Sequence, residues 1–166
     1  TIIDYALANY AVDINRIYLT GLSMGGGAAW DFAGYTAANA SRLAGIVPIC
    51  GATGPNVGYA NNMASANLPV WATHNIWDPV VSVANTDGFI NYINSAPVLP
   101  NPLAKKTIYY AGGHDAWSTT YNPSYKEDGK NVYEWMLQYN RNFTVLPVTG
   151  LEFNASKDGT ARQAKL

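Results

Sequence analysis

Short apolar runs alternate with amphipathic stretches along most of the chain. Ile17–Thr20, Gly45–Cys50 and Leu68–His74 are short, largely apolar runs, and Lys105–Tyr110 follows a proline-rich loop as a fourth extended stretch. They read as strands, and the unbroken run at Gly45–Cys50 suits one covered on both faces. Between them apolar residues recur at helical spacing. Thr1–Val12 places Ile2, Ile3, Ala6, Leu7 and Tyr10 on one face. Helices are also expected from Gly26 to about Tyr35 and over Tyr59–Ala66. Val80–Asn94 carries Val83, Phe89, Ile90 and Ile93, and Asn131–Tyr139 carries Val132, Trp135, Met136 and Tyr139. Thr36–Arg42 is a polar break. Gly51–Gly58 and Pro97–Pro102 are loops. Alternation of this kind predicts an α/β fold, a parallel sheet of about four strands with helices on both faces. Residues 1–142 make this unit. From Phe143 the pattern becomes extended and proline-punctuated, so 143–166 is expected to be a linker, a tail or the start of a β-rich module.

Between the first strand and its helix stands Gly21-Leu22-Ser23-Met24-Gly25, a G-x-S-x-G. In that setting the pattern is the nucleophile elbow, a tight turn that lifts the serine hydroxyl above the sheet edge. Residues two before and two after the serine are expected to lack bulk, which glycine supplies. The free N–H groups of the following helix point at the reacting atom.

Composition narrows the setting. The chain has 166 residues, 48% hydrophobic, with a formal net charge of −1. Nothing in that balance favours nucleic acid or an anionic membrane surface. No run approaches the ~20 apolar residues of a membrane span, and Thr1 onward does not read as a signal peptide. The charged fraction is low, at 13%, which suits a secreted or periplasmic protein. The single cysteine, Cys50, excludes an internal disulfide and reads as a small buried hydrophobe.

A serine hydroxyl needs a general base in reach, and the base needs a third group to hold its tautomer. There are two histidines. His114 lies in Tyr110-Ala111-Gly112-Gly113-His114-Asp115-Ala116-Trp117, just after the last strand, at the sheet edge where α/β sites form. His74 ends the third strand, in His74-Asn75-Ile76-Trp77-Asp78, and reads as structural. Asp78 follows that strand closely enough to reach His114. Asp87 falls inside the next helix, and Asp115 points away from its neighbour His114.

Arg16-Ile17-Tyr18-Leu19-Thr20-Gly21-Leu22-Ser23-Met24-Gly25-Gly26 resembles the elbow of α/β-hydrolase serine esterases of the carboxylesterase, phospholipase and polyhydroxybutyrate-depolymerase-like group. The His114 loop resembles that family's catalytic-histidine loop, including the tryptophan three residues on. His74 to Asp78 is similar to its His-Gly-x-x-Asp pattern, with Asn75 in place of the glycine, a small departure at the turn. The resemblance runs from about Asp13 to Gln138 and covers the C-terminal half of the fold.

The resemblance implies Ser23 as nucleophile, His114 as base and Asp78 as acid, in the Ser…Asp…His order of these hydrolases. The Met24 N–H would be one oxyanion donor. The second comes in this fold from a loop after an early strand, which this sequence does not contain. Trp77 and Trp117 are candidates to line a substrate pocket, or to pack under the loops. The implied activity is cleavage of a carboxylic ester through an acyl-enzyme, with no cofactor or metal. A serine peptidase of the same fold remains open, as does a non-catalytic half-domain. The first strand would normally lie mid-sheet, so an N-terminal half or an oligomer mate is expected to cover Ile17–Thr20.

Overall fold

In the computed structural model, residues 1–141 are described, so the linker, tail or β-rich module expected at 143–166 lies outside the described residues. Four parallel strands form one sheet in the order β1-β2-β3-β4: β1 (Tyr18–Leu22), β2 (Gly45–Ile49), β3 (Trp71–Trp77) and β4 (Lys105–Gly112). Among the described residues seven helices accompany them: α1 (Ile2–Asn9), α2 (Met24–Tyr35), α3 (Ala37–Ala40), α4 (Val57–Ser65), α5 (Val83–Asn94), α6 (Trp117–Thr120) and α7 (Val132–Leu137).

The core has two layers because successive side chains of a strand face opposite ways. On one face Ile46, Val70 and Ala72 pack with Trp30 of α2, Met63 of α4 and Phe89 of α5. Trp30 and Phe89 stack with ring centroids 4.3 Å apart. On the other, Val47, Ile49, Cys50 and Trp71 meet Ala116 and the α7 residues Val132, Trp135 and Met136. Every residue of β2 is buried.

Several expectations need correction. The first helix stops at Asn9, and Thr1 closes a capping box with Asp4 at its start. Of its predicted apolar face only Ile3, Ala6 and Leu7 are half-buried, while Ile2 and Tyr10 are exposed. The polar break holds a short helix, α3, capped by the Thr36 hydroxyl accepting from the Asn39 N–H. Helix α5 begins at Val83 rather than Val80, because Asp78 accepts from the Val80 and Val81 N–H groups and holds that stretch as a turn. Strand β3 runs on to Trp77, so His74 lies within the strand rather than at its end. Helix α6 has no counterpart among the expected elements.

Candidate active site

The elbow forms where β1 runs into α2. Ser23 holds φ 52° and ψ −117°, outside the favoured regions, at a cost of about 1–3 kcal/mol. Its backbone is anchored to the end of β2: the Ser23 N–H donates to Ile49 O at 2.9 Å, and the Ala52 N–H donates to Ser23 O at 3.1 Å. A Cβ on Gly21 would fall 2.5 Å from the backbone of Gly25, and one on Gly26 would fall 2.6 Å from Ile49 O. A Cβ on Gly25 would meet nothing within 4 Å. The close approach is therefore set by Gly21 and Gly26 among the described residues, and not by the glycine two after the serine.

Ser23 is the N-cap of α2, yet its side chain makes no capping bond. Its Oγ lies 2.8 Å from His114 Nε2. His114 Nδ1 lies 2.7 Å from Asp78 Oδ2. Asp78 accepts, so Nδ1 carries the hydrogen, and Nε2 is left to accept from the serine hydroxyl. Three elements thus bring the three residues together: the β1–α2 turn, the end of β3, and the loop after β4.

Asp78 has no exposed side-chain surface, and His114 has 18%. Burial alone would raise the Asp78 pKa, but donors from His114, Val81 and Val80 outweigh it and the net shift is downward. The carboxylate is held ionised. The rival acids stand elsewhere. Asp87 pairs with Lys106 at 2.6 Å, and Asp115 accepts from the backbone and hydroxyl of Ser118.

His74 is fully buried and bonded on both nitrogens, to Thr86 Oγ1 at 2.8 Å and to Val81 O at 3.0 Å. Its Nε2 also lies 3.3 Å from Asp78 Oδ2, and burial lowers its pKa. Asn75, expected to matter only for the turn, is 3% exposed and donates to Gly113 O at 3.0 Å. Cys50 is buried as expected, but its thiol lies 3.5 Å from His114 O. Sequence reasoning missed both contacts with the His114 loop; the polar run Thr73-His74-Asn75 inside β3 was the signal for Asn75.

Trp117 packs edge-on to His114 with centroids 5.4 Å apart. Trp77 is instead 56% exposed and lies against Tyr110 of the edge strand β4. Met24 opens α2, its side chain exposed. Cys50, Asp78 and His114 bring a thiol, a carboxylate and an imidazole within 4.8 Å of one another. The carboxylate and imidazole are engaged with each other and with Ser23, Val80 and Val81. Among the described residues no helix is long and apolar enough to cross a membrane.

A parallel sheet covered on both faces, with a serine elbow, is the fold of the α/β-hydrolases. A thermostable esterase of known structure aligns with a TM-score of 0.62 and 26% identity, over 84% of this chain and 35% of that one. The acylaminoacyl peptidase of Pyrococcus horikoshii aligns with a TM-score of 0.54 at 14% identity, over 69% of this chain and 22% of that one; that likeness concerns the fold alone. In sequence, the chain is 29% identical over 108 residues to a bifunctional acetylxylan esterase/xylanase of Neocallimastix patriciarum. The match covers 65% of this chain and 15% of that protein. No protein-family model matches the sequence. The chain thus spans about a third of the esterase and a smaller part of the bifunctional enzyme.

Proposed function

We propose that the chain carries the catalytic centre of a carboxylic ester hydrolase working through an acyl-enzyme. The observation that supports it is the line Ser23 Oγ, His114 and Asp78, with bonds of 2.8 and 2.7 Å. Ser23 Oγ attacks the ester carbonyl while its proton passes to His114 Nε2. Asp78, ionised and buried, stabilises the imidazolium that forms. The Met24 N–H, at the N-terminus of α2, faces the oxyanion; one such donor is worth about 2.7–4 kcal/mol of barrier. The imidazolium then protonates the leaving alcohol. Water, activated by the same histidine, releases the acid and frees Ser23.

The acetylxylan esterase likeness supports a short acyl group on a carbohydrate as substrate. The low charge content favours a secreted or periplasmic setting. Trp117, against the base, is the better placed of the two tryptophans to meet substrate. Residues 1–142 form the hydrolase unit in this reading, with 143–166 a separate segment.

Among the described residues β1 pairs only with β2, and its other edge offers unpaired N–H and C=O groups. The working enzyme in this reading has that edge covered by further strands of the fold, from the same polypeptide or another, and those strands supply the second oxyanion donor.

The test is hydrolysis of 4-nitrophenyl acetate against the matched anilide, with labelling by a fluorophosphonate. Wild type labels at Ser23 and prefers the ester; Ser23→Ala loses both label and turnover. Labelling is stronger when the strands neighbouring β1 are present than with this chain alone. Ester turnover surviving in Ser23→Ala would overturn the assignment.

A further inference from the structure

Two adjacent buried polar residues of β3 do work that neither hydrophobic packing nor the three site residues explain. Consecutive strand residues point to opposite faces of a sheet. His74 faces α5, and Asn75 faces the loop that follows β4.

On the α5 side, His74 Nε2 confronts two acceptors, Val81 O at 3.0 Å and Asp78 Oδ2 at 3.3 Å. That nitrogen therefore carries the hydrogen. Nδ1 is left to accept from the Thr86 hydroxyl at 2.8 Å, which completes the tautomer that the two acceptors at Nε2 set. The Val81 N–H in turn donates to Asp78 Oδ1 at 3.0 Å. The turn from Asp78 to Val81 is held from inside by the carboxylate and from behind by the ring.

On the other side the β3–β4 ladder slips. Asn75 pairs with Tyr109 and Trp77 with Gly112, so two steps on β3 oppose three on β4. Such a slip takes backbone groups out of the ladder. Asn75 Nδ2 supplies a donor for the Gly113 carbonyl at 3.0 Å. Gly113 has φ +83° and immediately precedes His114. The side chain thereby ties down the carbonyl of the residue before the base, one position past the end of β4.

We propose that His74 and Asn75 are positioning residues, β3 holding the Asp78 turn from one face of the sheet and the His114 loop from the other. The proposal rests on the reading of Ser23, His114 and Asp78 as a working triad. Neither residue touches substrate. Each fixes one end of the 2.7 Å contact between acid and base, whose geometry determines how well the imidazole faces Ser23. A displacement near 1 Å at such a contact costs up to about 100-fold in rate.

The experiment compares Thr86→Val, Thr86→Ser, Asn75→Ala and Asn75→Asp in the full protein. It reads kcat, KM and the far-downfield proton resonance of His114 Nδ1–H. Thr86→Val and Asn75→Ala are expected to lower kcat roughly 10- to 100-fold with KM within about twofold, and to shift or broaden the resonance. Asn75→Asp keeps the volume and loses the donor, so it behaves like Asn75→Ala and serves if that variant fails to fold. Thr86→Ser keeps the hydroxyl and retains wild-type kcat and resonance. If wild type is active, Ser23→Ala is dead, and the valine, alanine and aspartate variants all keep kcat and resonance, the positioning role is wrong while the triad stands. If Ser23→Ala is active, the triad reading has failed instead. Equal losses in Thr86→Ser and Thr86→Val would also overturn the proposal, because the hydroxyl would not be the determinant.

Discussion

His74 and His114 approach the same oxygen of the same carboxylate, Asp78 Oδ2, at 3.3 and 2.7 Å, yet their surroundings differ. Around His74 there is no solvent, and both ring nitrogens are taken by Thr86 and Val81. Around His114 one nitrogen is taken by Asp78, the other faces Ser23, and 18% of the side chain is open. A ring with both nitrogens committed to the protein has no site left to move a proton to a substrate. A ring with one nitrogen held and the other at a hydroxyl can do so. The residue type is the same in both regions; what differs is how many of its hydrogen-bonding sites the protein consumes.

Exchanging each histidine for alanine should therefore give opposite profiles. His114→Ala should lose activity about as completely as Ser23→Ala, on the order of a million-fold in kcat, with stability changed by about 1 kcal/mol or less. His74→Ala opens a cavity and strands the Thr86 hydroxyl and the Val81 carbonyl, costing roughly 2–4 kcal/mol of stability. Denaturant titration beside steady-state kinetics checks both. Equal stability losses for the two would break the comparison.

The shared carboxylate gives the next largest effect. Asp78→Asn should lower kcat on the order of 10⁴-fold, because an amide donating to His114 imposes the wrong tautomer. Asp115→Asn should leave kcat close to wild type, since Asp115 serves Ser118. A larger loss from the Asp115 change would mean that the acid has been misassigned.

Acid stability sharpens the comparison with the smallest signal. Burial lowers the His74 pKa, so the unfolded chain takes up a proton below about pH 6.5 while the folded chain resists. The His74 contribution is whole above that pH and is lost as pH falls toward the folded value. Burial works to raise the Asp78 pKa, but donors from His114, Val81 and Val80 leave it lowered. Its contribution is present above about pH 3.9 and lost on further acidification. Thermal unfolding between pH 8 and pH 3 should show the earlier decline in wild type and a weaker one in His74→Gln. An identical pH profile in the two proteins would contradict the assignment of that step to His74.

Much of this was legible before any coordinates. Four strand-like runs separated by amphipathic stretches are enough to predict a parallel α/β sheet, and the unbroken apolar run of Gly45–Cys50 marks β2, the strand buried along its whole length. A G-x-S-x-G between strand and helix located the elbow, and two histidines left few choices of base. The sequence-based expectation brought Ser23, Asp78 and His114 to one place, and their side chains stand within hydrogen-bond reach of one another. The short helices α3 and α6 were not legible, because four residues are too few to show a period.

What the sequence determined by itself is local: where chain direction changes, which runs are buried, and which residue types could carry acid–base chemistry. Those follow from side-chain hydrophobicity and backbone sterics over a few residues. What only the tertiary structure decided is which sites on those residues remain available. That Gly21 and Gly26 bear the close approach while Gly25 faces open space depends on Ile49 and on the path of α2. Asn75 ties the His114 loop because the β3–β4 register slips beside it, a property of two strands rather than one. His74 holds and His114 faces Ser23 because α5, β3 and the loop after β4 converge on one carboxylate. A hydrogen bond is satisfied by whatever lies within about 3 Å in space, and distance along the chain does not determine that.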